Sequence, residues 1–305
     1  MRYFLVNDRL KVEIDSFGAE IKSVINRNNM REYMWYGDPT FWGRTSPVLF
    51  PFVGSLKDKK YSWKGVEYAM GQHGFARDNE FELVSRTDDE IWFSFKSNEE
   101  TLAKYPFEFE LQIGYKLTSE KDTDDVKVMW KVLNPGSETM YFSIGAHPAF
   151  LCPFHGYDRN KKNCKTGYKL FFEGTDVIRH HGNDVARGLA IREDIEMPLD
   201  NGYATITDEF FDRCTYMIEG NQTKCVGIAD EEEKHIVDVC FDTPLFAIWS
   251  PEKKNAPFIC IEPWYGRCDA VDFEGDLSQR EFTNVLEAGQ AFNGGYTMKF
   301  YEYYW

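Results

Sequence analysis

The chain has 305 residues, a formal net charge of −15 and an aromatic content of 16%. A nucleic-acid surface needs clustered Lys and Arg to neutralise phosphates, and none occurs; an acidic surface also disfavours anionic membranes. No segment approaches the ~20 apolar residues of a membrane span or carries a signal-peptide core, so a soluble cytoplasmic protein is expected, with neither nucleic acid nor membrane as partner.

In chain order, RYFLVNDRLKVEID (2–15) alternates as two short strands around Asn7–Asp8. EIWFSFKS (90–97), FEFELQIGYKL (107–117) and DVKVMWKVLN (125–134) read as consecutive strands, and NEETLAKYP (98–106) as a helical turn ended by Pro106. The stretch 152–200 reads as long loops, and TDEFF (207–211) as a second short helix. CVGIAD, HIVDVCF, LFAIWS, FICIEPW and YTMKFYEYY continue the alternation to the C-terminus. With no repeat and no Pro/Gly/Ser-rich linker, this predicts an all-β chain of hairpins, a large antiparallel sandwich or barrel. The acidic runs Asp122–Thr123–Asp124–Asp125 and Glu231–Glu232–Glu233 read as solvated turns. The seven cysteines (152, 164, 214, 225, 240, 260 and 268) are odd in number and include no C-x-x-C pair. They read as small buried hydrophobes of a reduced, intracellular protein, without disulfides or a zinc site.

Three segments carry groups able to move a proton: QHGFARDNEF (72–81), IGAHPAF (144–150) and FICIEPWYGRCDA (258–270). As a strand, the first would place His73 and Arg77 on one face, sharing it with Phe75; the plain alternative is a strand-end His paired to a backbone carbonyl. His147 precedes Pro148, which biases it away from helix, and small neighbours leave room for a ligand or for simple packing. Glu262 follows the apolar run Phe258–Ile261, where a carboxylate is costly unless paired or functional. Pro263 suggests that the strand stops there or lies at an edge, and Arg267 is the available ion-pair partner. Arg44, between Gly43 and Thr45, can bind sugar hydroxyls or a phosphate through its fork, or form a surface ion pair. His155, His180, His181 and His235 read as solvated. No P-loop, G-x-G-x-x-G, G-x-S-x-G or H-E-x-x-H motif occurs.

With these residues in view, the chain resembles the aldose 1-epimerase (galactose mutarotase-like) family, nearest its LacX-like branch. The matching pieces are RTSPVLFPFVG (44–54), HGFARDNEFEL (73–83), SIGAHPAF (143–150), FAIWS (246–250), IEPWYGRCDA (261–270) and NVLEAGQAF (284–292). The resemblance covers the whole chain and implies one β-sandwich domain over 1–305. It implies that His73 hydrogen-bonds the sugar ring oxygen, that His147 is the general acid and that Glu262 is the general base. It also implies that Arg44, Arg77 and Asp212 line the cleft; Trp264 beside Glu262, and Trp249, are expected as further substrate-binding residues. Two departures stand out: Thr45–Ser46 replaces the Gly-Gly of the phosphosugar branch, and the Arg/Asn pattern of true galactose mutarotases is missing. The expected substrate is an aldose, with a neutral sugar favoured over a 6-phosphate, no cofactor and no metal, in a monomer or homodimer. Rival readings are a two-His, one-carboxylate Fe(II) site, a non-catalytic sugar binder, and a glycosidase pairing Glu262 with Asp269 or Asp272.

Overall fold

Strands of the computed structural model such as Leu10–Asp15 and Ala291–Tyr301 come from segments whose side chains alternate between more and less buried positions. The structure describes residues 1–302 except 155 and 159; His155 thus lies outside the described residues. A nine-stranded sheet runs in the order 203–205, 169–172, 225–229, 235–241, 291–301, 123–133, 110–119, 90–96 and 82–86. An eight-stranded sheet runs 189–198, 177–184, 216–219, 245–249, 258–265, 144–146 and 48–49, with 149–151 also pairing to 258–265. A four-stranded sheet, 2–6, 10–15, 20–26 and 31–32, completes the main layers, and neighbouring strands within the sheets are antiparallel. One hydrophobic core draws on all three sheets, through residues such as Val12, Trp130 and Ile261, as a β-sandwich requires.

The strand Phe258–Tyr265 is the one that positions the site. It is buried along almost its whole length. Ile259 and Ile261 enter the main core, whereas Cys260 and Trp264 pack in smaller clusters on the opposite face. Both faces being covered, its apolar run is continuous rather than alternating. On one side its residues 260–264 pair without a break with Leu245–Trp249. On the other, its partner strand is broken: Ala149–Leu151 pairs with 258–260 and Ile144–Gly145 with 264–265, so residues 146–148 leave the ladder. Ile261 donates across this gap to Pro148 O at 3.3 Å. By the two-residue period Pro263 faces the same gap, so its missing N–H costs no ladder bond. The strand therefore does not stop at Pro263, nor is it an edge.

The helix at Glu99–Lys104 forms as expected, with Asn98 and Thr101 closing a reciprocal cap. TDEFF instead makes successive turns, Phe210 N–H to Thr207 O and Asp212 N–H to Glu209 O, that do not propagate. The stretch 152–200 holds three strands, Lys169–Phe172, Val177–Asp184 and Leu189–Pro198; a register shift between His180 and Gly182 breaks the alternation there. His180 is buried against Tyr216, His181 Nδ1–H donates to Glu193 O, and His235 lies between Tyr203 and Asp238, so none of the three is simply solvated. Thr123, Asp124 and Asp125 are buried as well, Asp124 by pairing with Arg9; Glu231–Glu233 is exposed as expected. Cys225 and Cys240 face each other across an antiparallel pair and form a disulfide, contrary to the expectation of thiols only. The other five cysteines are free. Among the described residues, no helix is long and apolar enough to cross a membrane.

Candidate active site

The break in the 144–151 strand opens a cleft of about 290 Å³ on the face of the sheet that carries Glu262 and Trp264. His73, His147, Glu262, Arg77, Trp249 and Trp264 all line it.

His73 is held by backbone rather than by a strand. It and Gly74 are both left-handed, at φ 65° and 70°, and a Cβ on Gly74 would lie 2.3 Å from Phe50 O. His73 N–H donates to Gly54 O at 2.9 Å, and Gly54 N–H donates back to His73 Nδ1 at 3.1 Å. The accepting Nδ1 leaves the ring proton on Nε2. A 3-10 turn, Ala76–Asp78, follows. Phe75 therefore turns into the core while His73 and Arg77 reach the cleft, which strand alternation would not give.

His147 sits in the break itself. Its ring stacks on Trp42 (centroids 4.6 Å, 27°) and meets the edge of Trp249 at 5.4 Å. His147 Nε2 lies 3.2 Å from Glu262 Oε2. The approach lacks hydrogen-bond geometry, and His147 Nδ1 and Glu262 Oε2 are buried without hydrogen-bond partners. Glu262 is only 1% exposed. Burial pushes its carboxyl well above the usual carboxylate range, with the Trp264 indole offsetting this slightly. Burial, reinforced by the Arg77 charge, pushes His147 down to about 3. His73 is likewise held well below an ordinary imidazole by burial and then by Arg77. Burial thus favours the uncharged form of both groups.

The remaining predicted residues separate. Arg77 donates to Gln72 O at 2.8 Å, and its buried Nε has no hydrogen-bond partner. Arg44 lies outside the cleft lining and bonds Asp78 at 2.7 Å, the surface ion pair of the plain reading. Asp212 lines a different hollow, with Lys162, Lys165 and Phe211, because the turn at 207–212 carries it away from the cleft. Arg267 pairs with Glu219 and Glu281, not Glu262. Asp269 binds Arg280, and Asp272 lies near Arg192, so neither faces Glu262 as a glycosidase partner.

Sequence reasoning missed Trp42, Asn183, Thr215, Met217 and Glu252, all of which line the cleft. Trp42, two residues before Arg44, was the legible one; the others come from strands and loops with no distinctive pattern. Asn183 Oδ1 accepts from Thr215 N–H, which leaves its amide donors available. A possible metal-ligand set also appears: His147, Cys260 and Glu262 bring one ligand atom each within 4.8 Å of one another.

Comparison with known proteins agrees with this architecture. The aldose 1-epimerase family model matches residues 1–297. Protein LacX of Lactococcus lactis is 28% identical over 292 residues, covering 92% of this chain and 94% of that protein. A galactose mutarotase related enzyme from Lactobacillus acidophilus superposes with a TM-score of 0.89 at 34% identity, covering 99% of this chain and 98% of that one. A galactose mutarotase-like protein from Lactobacillus casei gives 0.87 at 29% identity, with 99% of each chain covered. Matching the family over almost its full length, the chain belongs to the aldose 1-epimerase family.

Proposed function

We propose that the protein interconverts the α and β anomers of a free aldose, with His147 and Glu262 as the acid–base pair. The observation that carries this reading is the 3.2 Å approach of two buried, unpartnered proton-moving groups at the base of an aromatic cleft. Ring opening needs a proton removed from O1 and one delivered to O5. Imidazolium–carboxylate and imidazole–carboxyl are tautomers with the same proton count. Passing one proton from Glu262 to His147 converts the uncharged form into the charged one. Glu262 then takes the O1 proton as His147 protonates O5, which returns the pair to its neutral form. The open-chain aldehyde rotates about C1–C2, and closure runs the same transfers backwards. Each positioned group typically contributes ~10²–10⁴-fold, ample for a reaction already measurable in water. His73, its Nδ1 occupied by Gly54, serves as a fixed Nε2–H donor to the ring oxygen region. Trp42, Trp249 and Trp264 offer flat apolar faces to the sugar.

A neutral sugar fits better than a 6-phosphate. Of the two arginines available to a phosphate, Arg44 is engaged by Asp78 and lies outside the cleft lining, and the carboxylate of Glu252 shares the lining with Arg77. Polarimetry from pure α-D-glucose, α-D-galactose and their 6-phosphates tests the proposal. Faster relaxation than buffer with a neutral sugar is expected; buffer rates for all four would refute catalysis, and acceleration of the phosphates alone would reassign the substrate.

A further inference from the structure

We propose that the base of the cleft also binds one thiophilic divalent cation of the zinc class, on His147, Cys260 and Glu262. The site would be inhibitory, since it uses both members of the acid–base pair. The inhibition rests on the proposed function; the binding itself does not.

Cys260 and Glu262 are two residues apart on one strand, so both side chains project from the same face. Their neighbours across the ladder, Trp249 and Ala247, are fixed by register. His147 comes from the break in the opposite partner strand, two residues before Ala149, which pairs directly with Cys260. Three ligand types thus converge from two elements, all buried, with ligand atoms within 4.8 Å of one another. Tetrahedral zinc with Zn–N and Zn–O near 2.0–2.2 Å and Zn–S near 2.3 Å sets ligand–ligand edges of roughly 3.3–3.7 Å. The 3.2 Å separation of His147 Nε2 and Glu262 Oε2 is already close to such an edge. Cys260 Sγ need close in by only about 1 Å to complete the triangle. The fourth position would open on the cleft.

One further feature points the same way: Glu262 Oε2 is buried with no hydrogen-bond partner, so a cation would fill an unmet acceptor. A thiolate in the set selects against Mg²⁺ and Ca²⁺. His147 Nδ1 has no partner to anchor the ring from behind, and Arg77 stands nearby on the cleft wall. Both weaken the site and make it reversible rather than structural.

The test uses chelator-treated protein without added reductant, so that the Cys225–Cys240 disulfide stays closed. Cadmium titration should raise an ultraviolet cadmium–thiolate charge-transfer band at one equivalent, and Zn²⁺ should slow the catalysed mutarotation until EDTA is added. Cys260→Ala should abolish the band and raise the zinc inhibition constant at least about 10-fold, read against the variant's own metal-free rate. Cys260→Ser, nearly isosteric, covers a folding failure of the alanine variant and should also lose the band. Cys268→Ser is the control for the thiol that lines the cleft and should keep the band. A full-strength band in Cys260→Ala, or unchanged zinc inhibition, would overturn the proposal. A chain with no mutarotase activity would instead remove the proposed function, and the cadmium band would still decide the site.

Discussion

Two groups of buried ionisable side chains flank the cleft, and they are built on opposite rules. In the first, Arg280 donates to Asp269 Oδ1 at 2.7 Å and to Arg267 O at 2.9 Å, and Asp269 Oδ2 accepts from Lys57 N–H at 2.9 Å. Arg267 bonds Glu219, Glu281 and its neighbour's carbonyl. Each of these charges has a partner. In the second, Glu262, five residues before Arg267, and His147 are equally buried, yet each keeps a polar atom without a hydrogen bond. Burying a polar group unpaired is costly, so a fold tolerates it where a ligand completes the set. The paired group holds the scaffold: Asp269 also donates from its backbone to Ser55 O, beside the Gly54 that fixes the His73 tautomer. The unpaired group is left free to exchange protons.

The largest expected effect breaks the unpaired group. Glu262→Gln and His147→Asn should each slow catalysed mutarotation by about 10²–10⁴-fold. Because burial favours the uncharged carboxyl, the amide should leave the thermal midpoint unchanged or higher. Retention of more than half the rate in either variant would remove that residue from the proton path.

The paired group should respond in stability. Arg280→Met leaves the Asp269 carboxylate buried without its partner and should cost about 3–5 kcal/mol in urea unfolding. Replacing both, Asp269→Leu with Arg280→Met, should recover most of that loss. Equal losses in the single and double variants would mean that the pair is not what stabilises this region.

The pH profile sharpens the contrast. The working pair carries one exchangeable proton, so activity falls when a second is added or the last is lost. Addition falls on neutral His147, pushed down to about 3 by burial and the Arg77 charge. Loss falls on Glu262, pushed well above 4.5 by burial. The acid limb of kcat/KM should therefore lie far below the ordinary imidazole value of 6.5 and belong to the pair as a whole. An acid limb near 6.5 would show that His147 is solvated in the working enzyme.

How much was legible follows from these same residues. Strands such as 110–119 and 123–133 were readable because one face is buried and period two survives in the sequence. Strand 177–184 was not, because a bulge at His180–Gly182 interrupts the period. His73, His147 and Glu262 stood out as ionisable groups among Gly, Pro and aromatic residues. That the three converge depends on a broken strand and a left-handed turn, which local pattern does not encode. The Cys225–Cys240 pairing depends on cross-strand register, which 15 residues of separation conceal.

A smaller effect is expected at Trp42, which stacks on His147 and was not singled out from the sequence. Aromatic pairs contribute about 0.5–1.5 kcal/mol beyond burial, so Trp42→Ala should lower kcat/KM by roughly 10-fold. A loss confined to KM would mark it as a sugar platform; a loss in kcat would mark it as support for the His147 ring.

The smallest effects separate the two arginines and the stray carboxylate. Arg44 is partly exposed and paired with Asp78, and such surface pairs contribute about 0–1 kcal/mol. Arg44→Ala should therefore change neutral-sugar kcat/KM by no more than about fivefold. Arg77 lines the cleft with a buried, unpartnered Nε, and its loss should cost more than that of Arg44. Asp212 lies in a separate hollow, so Asp212→Asn should leave the rate within experimental error of wild type. The ordering Arg77 above Arg44 above Asp212 follows from placement alone, because the sequence offers all three as cleft residues. An Asp212 variant as damaged as the Arg77 variant would mean that the 207–212 turn swings toward the cleft when sugar binds.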